Sequence, residues 1–285
     1  MVEQIFSGRF FRVGLFRCAP DASPWDELHE FRGSALAVFP ATSVVIEHED
    51  RAPVLANPNH VMFYSGGQRY RRRLHDPRGD VSVVVAPSPR VIDSPLPFVQ
   101  GPCSPEAFLA QHEIVRHIRT ADNVNGEFVE QTLRDVLARV IADAFSVYRI
   151  RRSRRAETRA MHHALVERAK ALLTERPTER WTLSAVAAEL HTSEFHLARI
   201  FRASTGFTLH TYRNQIRLRL AVGVLDDDAL KVGELAHGLG FASHSHFTDT
   251  FSAAFGAPPS AVRGALGPRS SREVERFVEV PIMFR

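Results

Sequence analysis

The chain has 285 residues, enough at roughly 100–200 per domain for two domains rather than one. Apolar residues make up 44% and charged residues 24%, a balance that excludes a disordered or fibrous chain. The formal charge of +4 hides an asymmetry: residues 1–148 hold 15 bases and 18 acids, whereas 149–285 hold 21 and 14. A basic second half points to a polyanion partner.

Two cysteines, Cys18 and Cys103, are too few for a disulfide framework or a four-cysteine zinc site. The first twenty residues interrupt their apolar run with Glu3, Arg9, Arg12 and Arg17, so no signal-peptide core is read there. No stretch approaches the roughly 20 apolar residues that span a bilayer. The expected location is the cytoplasm, with reduced thiols and no membrane partner.

Residues 1–103 read as β structure. Short β-branched or aromatic runs at 9–16, 35–39, 43–47, 61–64 and 81–86 are separated by turn clusters such as Asn57-Pro58-Asn59 and Pro77-Arg78-Gly79-Asp80. Such spacing predicts a sandwich or barrel. Two helices are expected over 104–149. Ser104, followed by Glu106, opens the first to about Ala121, and the second runs from Glu127 to about Arg149. On the second, Val129, Leu133, Val136, Val140 and Tyr148 step by threes and fours into one stripe. That stripe either packs on the β domain or forms a subunit interface, and one stripe can serve both. Residues 150–159, rich in arginine, read as a linker.

The most informative feature is an internal repeat. Leu183, Val186, Ala187 and Leu190 match Val232, Leu235, Ala236 and Leu239 at an offset of 49. Ser193, Leu197, Phe201 and Gly206 match Ser243, Phe247, Phe251 and Gly256 at an offset of 50, so one residue is added near Gly240. Each copy reads as a short helix, a tight turn and a second helix, with a serine N-cap and a glycine C-cap. Alanine where the two helices meet permits a close, steep crossing. This is the pattern of a helix-turn-helix unit, whose second helix enters the DNA major groove.

At about 100° per residue the second helices, 193–204 and 243–254, resolve into faces. In the first copy Leu197, Ile200 and Phe201 form the buried stripe. Opposite it stand Phe195, Arg199 and Arg202, with Ala198 beside them and Ser193 and His196 at the start. Guanidiniums suit guanine edges or phosphates, and phenylalanine suits a thymine methyl. In the second copy Phe247, Thr250 and Phe251 face inward, and Ser243, His244, Ser245, Thr248, Asp249 and Ser252 face outward. That face holds no Lys or Arg, so the first copy is expected to anchor and the second to tune. Between them 208–225 reads as one helix of about 27 Å, able to help set the units one duplex turn, about 34 Å, apart. The basic charge then sits in the linker, the first recognition helix and this connecting helix.

Residues 160–265 resemble the DNA-binding domain of the AraC/XylS family of bacterial transcription regulators. The pattern runs through Ser193, Leu197, Arg199, Phe201, Thr205-Gly206, Tyr212, Arg217, Ala221 and Leu225. It continues through Ala236, Gly240-Phe241, Ser243, Phe247, Phe251, Phe255-Gly256, Pro259 and Arg263. The resemblance implies an all-α domain of seven helices with two helix-turn-helix units. It also implies binding to double-stranded promoter DNA, and contact with RNA polymerase if the protein is an activator. Its base-contacting positions fall on Phe195, Ala198, Arg199, His244, Ser245, Thr248 and Asp249. The family usually carries a basic residue where Asp249 and Ser252 stand, a departure that bears on the second unit's role. The apolar residues 266–285 extend beyond the family's domain.

The same resemblance suggests a cupin-like β barrel with two trailing, dimerising helices for the first half, hence an α+β chain, a homodimer and a small-molecule effector. Candidate effector residues are Trp25, His29, Tyr64, Arg69, Tyr70 and His75. No cofactor, metal site or catalytic residue is assigned. His112, Glu113 and His117 are spaced wrongly for a zinc-protease motif, and the only His-x-His pair lies on the second recognition helix. Two alternatives remain: a metal- or redox-responsive regulator using Cys and His of the first half, and an effector-free regulator whose first half only dimerises.

Overall fold

The computed structural model describes residues 2–152, 156–227 and 230–266. Strands come first: β1 (Val2–Ser7), β2 (Phe11–Cys18), β3 (His29–Glu30), β4 (Ala35–Pro40), β5 (Val44–His48), β6 (Val54–Ala56), β7 (His60–Ser65), β8 (Arg69–Leu74), β9 (Asp80–Pro87) and β10 (Gln100–Pro102). They form a six-stranded sheet in the order β1-β2-β9-β4-β7-β10 and a four-stranded sheet in the order β3-β8-β5-β6. All pairings are antiparallel. The expected cupin-like barrel is therefore open. Among the described residues no strand pairing joins one sheet to the other, and edge strands β3, β6 and β10 are only two or three residues long, too short to carry a ladder around.

Strand periodicity gives the larger sheet two different faces. Ala37, Phe39, Val61, Phe63, Val83 and Val85 point to the helices, whereas Leu36, Val38, Met62, Tyr64 and Val84 point toward the smaller sheet. The helix side carries α1 (Pro105–Thr120), capped by Ser104, and α2 (Gly126–Arg152). On α2, Val129, Leu133, Val136 and Val140 are 0–4% exposed. Four residues of that stripe therefore pack in the chain's own core, the first of the two readings open to it. The fifth, Tyr148, is partly buried against Phe98.

Seven helices follow among the described residues: α3 (Ala156–Glu175), α4 (Leu183–Glu189), α5 (Glu194–Thr205), α6 (Leu209–Val222), α7 (Val232–Gly238), α8 (His244–Phe255) and α9 (Pro259–Leu266). The expected linker is largely taken up by the ends of α2 and α3. Its residues 153–155 lie outside the described residues, as do 267–285 of the apolar tail. The connecting helix α6 has 14 residues, about 21 Å, not the 18 expected; it gives way to turns from Gly223.

The two helix-turn-helix units are held differently. The first has its own apolar core, in which Val166, Ala169 and Leu173 of α3 meet Val186, Leu197, Phe201 and Tyr212. The second shares one continuous core with the β domain and α1, through Leu235, Phe247, Phe251, Phe255 and Val262. Hydrogen bonds join the first unit to the β domain instead. Asn57 Nδ2 donates to the Tyr212 hydroxyl at 2.8 Å, and Asn59 Nδ2 donates to the Tyr212 carbonyl at 2.8 Å. Arg219 donates to Asn59 Oδ1 and to the carbonyl of Cys103, and Leu55 N donates to Glu167 Oε2 at 2.7 Å. Asn57, Asn59 and Tyr212 are fully buried, so these bonds satisfy groups that water cannot reach.

Candidate nucleic-acid interface

Local chemistry builds the recognition helices as their serine and glycine punctuation predicts. Ser193 Oγ accepts from His196 N at 3.3 Å and Ser243 Oγ from His246 N at 3.1 Å. Each helix ends at a left-handed glycine, Gly206 (φ 82°) or Gly256 (φ 74°). The preceding turns differ by their extra residue. His191 (φ 53°) and Gly240 (φ 75°) occupy equivalent positions, and Phe241-Ala242 then replaces the single Thr192. Only glycine suits the second turn, because a Cβ at Gly240 would lie 2.6 Å from the Thr178 carbonyl oxygen.

The inward stripes are sealed. Leu197, Ile200 and Phe201 on α5, and Phe247 and Phe251 on α8, are fully buried, and Ala187 and Ala236 are buried at the helix crossings. Thr250 departs from its expected place. It is only partly buried, its hydroxyl donating to His246 O at 2.6 Å, and Phe255 completes the second stripe.

The outward faces stand clear of the β domain. On α5, Phe195 is 79% exposed and Ser193, Arg199 and Arg202 are exposed, with Ala198 partly covered. His196 is half-buried, edge-on to His162 at 5.0 Å. On α8, Ser243, His244, Ser245 and Asp249 are exposed, and Thr248 and Ser252 partly so. The α5 face thus presents two guanidiniums and a phenyl ring, the α8 face hydroxyls, an imidazole and a carboxylate.

The connecting helix corrects the expected charge map. Its arginines point inward as staples. Arg217 donates through Nε to Pro177 O, through Nη1 to Gly240 O at 3.1 Å and through Nη2 to Glu179 O at 3.1 Å, and it stacks on Phe241. It therefore ties the loop before the first unit to the turn of the second. Burial, with Arg213 nearby, lowers its pKa to about 10, which leaves it charged at neutral pH. Arg213 donates to the carbonyls of Glu179 and Trp181, and Arg219 is 3% exposed among its bonds to the β domain. Arg263 similarly ties α9 to the carbonyls of Leu225 and Leu230. These staples escaped the sequence reading because an arginine bonded to distant carbonyls has the same local pattern as a solvated one.

A second candidate site lies between the sheets, where a cavity of about 570 Å³ opens. Of the expected effector residues, His29, Tyr64 and Tyr70 line it. Trp25 lies beside it, its ring 5.8 Å from the Arg72 guanidinium. Arg69 faces outward to Glu49 at 3.0 Å, and His75 faces α3, 3.6 Å from Glu175. The reading missed Arg72, Asp80 and Ser82, which also line the cavity. Alternation along β8 was the available signal: an inward Tyr70 carries Arg72 inward and leaves Arg69, Arg71 and Arg73 outside.

Cys18 and Cys103 are both free and buried, and burial pushes the Cys103 thiol up to about 11. Among the described residues no three or more His, Cys, Asp or Glu side chains are grouped to hold a metal ion, and no helix is long and apolar enough to cross a membrane.

Comparison with known proteins agrees with the helical geometry. A family model described as a helix-turn-helix domain matches residues 186–265. The matched residues take in both recognition helices, α5 and α8. The chain is 37% identical over 97 residues to the uncharacterized HTH-type transcriptional regulator YidL of Escherichia coli, covering 34% of this chain and 33% of that protein. It is 39% identical over 95 residues to the HTH-type transcriptional regulator GlxA of Rhizobium meliloti, covering 33% and 28%. The chain thus spans about a third of the length of the curated relatives it matches. Among solved structures, ToxT of Vibrio cholerae aligns over 90% of this chain and 99% of its own, at 14% identity and a TM-score of 0.36.

Proposed function

We propose that this protein is a sequence-specific DNA-binding transcription regulator, acting in the cytoplasm on double-stranded promoter DNA. The observation that carries the reading is the exposed α5 face, Phe195, Arg199 and Arg202, set opposite a sealed apolar stripe. Two helix-turn-helix units in one chain suit two successive major-groove segments. The first half is the controlling part, binding a small organic molecule between its sheets; its lining of aromatic and aliphatic side chains with a few polar groups has the character of a small-molecule pocket. RNA polymerase is the further partner if binding activates transcription.

Selection of duplexes from a random library by the full chain, followed by major-groove footprinting, tests the DNA reading. The expected result is one enriched sequence with two protected segments about one helical turn, ~34 Å, apart. Enrichment of no sequence, or a site bound equally well when Phe195 and Arg199 are both replaced by alanine, overturns it.

A further inference from the structure

The cavity between the sheets has an apolar body and one polar end. Leu36, Val38, Val44, Ile46, Met62 and Val84 are among the residues of its apolar wall. At the polar end the side chains of Arg72 and Asp80, 9% and 5% exposed, face each other at 3.4 Å. The guanidinium also stacks on Phe16, 4.6 Å from its centroid, and its Nη2 lies 3.5 Å from His29 Nε2. Asp80 Oδ1 accepts from Ser82 Oγ at 2.9 Å. Beside the pair, the rings of Tyr64 and Tyr70 lie 4.7 Å apart. Both tyrosines line the cavity, and among the described residues neither hydroxyl has a hydrogen-bond partner.

The ion pair decides what this end accepts. Its two charges already cancel, so a carboxylate ligand would add a second anion beside Asp80, and an ammonium would add a second cation beside Arg72. Either leaves an uncompensated charge in a site from which water is largely excluded, and that is costly. A hydroxyl fits without that cost. It accepts from a guanidinium or tyrosine hydroxyl and donates to a carboxylate, the combination of groups present here. Apart from Gln4 and Arg12, the remaining wall offers apolar burial, and the volume lies within the usual range for small-molecule pockets. Arg12, exposed where the cavity opens beside β1, would favour an anion at the mouth but not at the polar end.

We propose that this cavity binds a neutral, mainly apolar molecule whose single polar end is a hydroxyl, seated between the Arg72–Asp80 pair and the hydroxyls of Tyr64 and Tyr70. The assignment rests on the reading of the first half as the effector-binding part.

Decanol, decanoate and decylamine share one body and differ in the charge of the head, and calorimetric titration of each into the full chain tests the assignment. Decanol is expected to bind at least about tenfold more tightly than either charged probe. Val38→Trp, which fills the cavity, should abolish its binding. The paired replacement Arg72→Met with Asp80→Leu removes both charges together, so no unpaired ion is left to unfold the protein; it should weaken decanol about tenfold, because the hydroxyl loses its donor and its acceptor there, while decylamine stays weak. Decanoate or decylamine binding as tightly as decanol, and lost in Val38→Trp, overturns the ligand class while leaving the effector site standing. Binding of none of the three, or binding of decanol that Val38→Trp leaves unchanged, overturns the assignment and the effector-site reading with it.

Discussion

The two helix-turn-helix units share one frame and differ in almost everything attached to it. The first presents guanidiniums and a phenyl ring outward, keeps a private apolar core and meets the β domain through hydrogen bonds. The second presents hydroxyls and a carboxylate and is built into the same apolar core as the β domain and α1. Duplication thus conserved what a helix-turn-helix needs to fold: serine and glycine caps, a buried stripe and an alanine at the crossing. The outer faces were free to diverge. The difference teaches a division of labour: the unit with the guanidiniums is the one with its own core, and the unit whose face holds no Lys or Arg is the one continuous with the β domain.

The comparison breaks most severely at Arg217, which bonds both units at once. Arg217→Ala leaves the carbonyls of Pro177 and Gly240 without their charged donor, while the Glu179 carbonyl keeps Arg213 at 3.1 Å. Losing the charged bonds to two partly buried acceptors, together with the stacking of the buried Arg217 on Phe241, is expected to cost about 3 kcal/mol in folding stability, read in denaturant unfolding. Arg217→Lys should recover only part of it, because one ammonium cannot hold the fork of bonds that a guanidinium does. A loss within about 0.5 kcal/mol would show that the units are held together by their apolar contacts alone.

The next effect belongs to the first unit's outer face. Arg199→Ala is expected to weaken binding to a selected duplex by about 1–3 kcal/mol and to relax preference at one base pair, if the guanidinium reads a base edge. A loss equal across all sequences, with a shallower salt dependence, would reassign Arg199 to a phosphate. Either result keeps the first unit as the anchor; unchanged affinity removes it from that role.

How much of this was legible in the sequence depends on how local the cause is. Ser193, Gly206, Ser243 and Gly256 act on backbone groups two to four residues away, so their roles follow from spacing, and the repeat supplied a second reading of each. The helical stripes were legible for the same reason. Asn57 and Asn59 read only as turn punctuation, yet both are fully buried, with partners more than 150 residues away. Arg219 read as surface charge and is buried against that same pair. Long-range polar partners leave no periodic trace. The β domain lies between these cases. Its long strands were visible, but β3, β6 and β10 are too short to show an alternation, and the open edge between the sheets depends on them.

The hydrogen-bonded joint between the first unit and the β domain can be loosened without touching either outer face. Tyr212→Phe removes the hydroxyl that Asn57 meets from both sides of its amide, donating at 2.8 Å and accepting at 3.2 Å. Asn57 keeps Thr174 as a partner at 3.0 Å, so the expected cost to stability is about 1 kcal/mol rather than the loss of the fold. Hydrogen exchange should then rise at β6, β7 and α6, while α8, held by apolar packing, stays protected. Equal loosening at α5 and α8 would erase the distinction between a polar and an apolar joint.

The smallest expected effect tests the outer face of the second unit. Asp249 is exposed on α8, where a carboxylate either accepts from a cytosine amino group or merely repels phosphate. The two roles move affinity in different ways. If Asp249 reads a base, Asp249→Ala changes which duplexes are selected while total affinity shifts by less than about 1 kcal/mol, because loss of one acceptor is partly offset by relief of phosphate repulsion. If it only repels, affinity rises uniformly across sequences and the selected site stays the same. The first outcome makes the second unit a reader that gives up binding strength for discrimination. The second makes it a spacer that lies against the groove while Phe195, Arg199 and Arg202 supply the specificity.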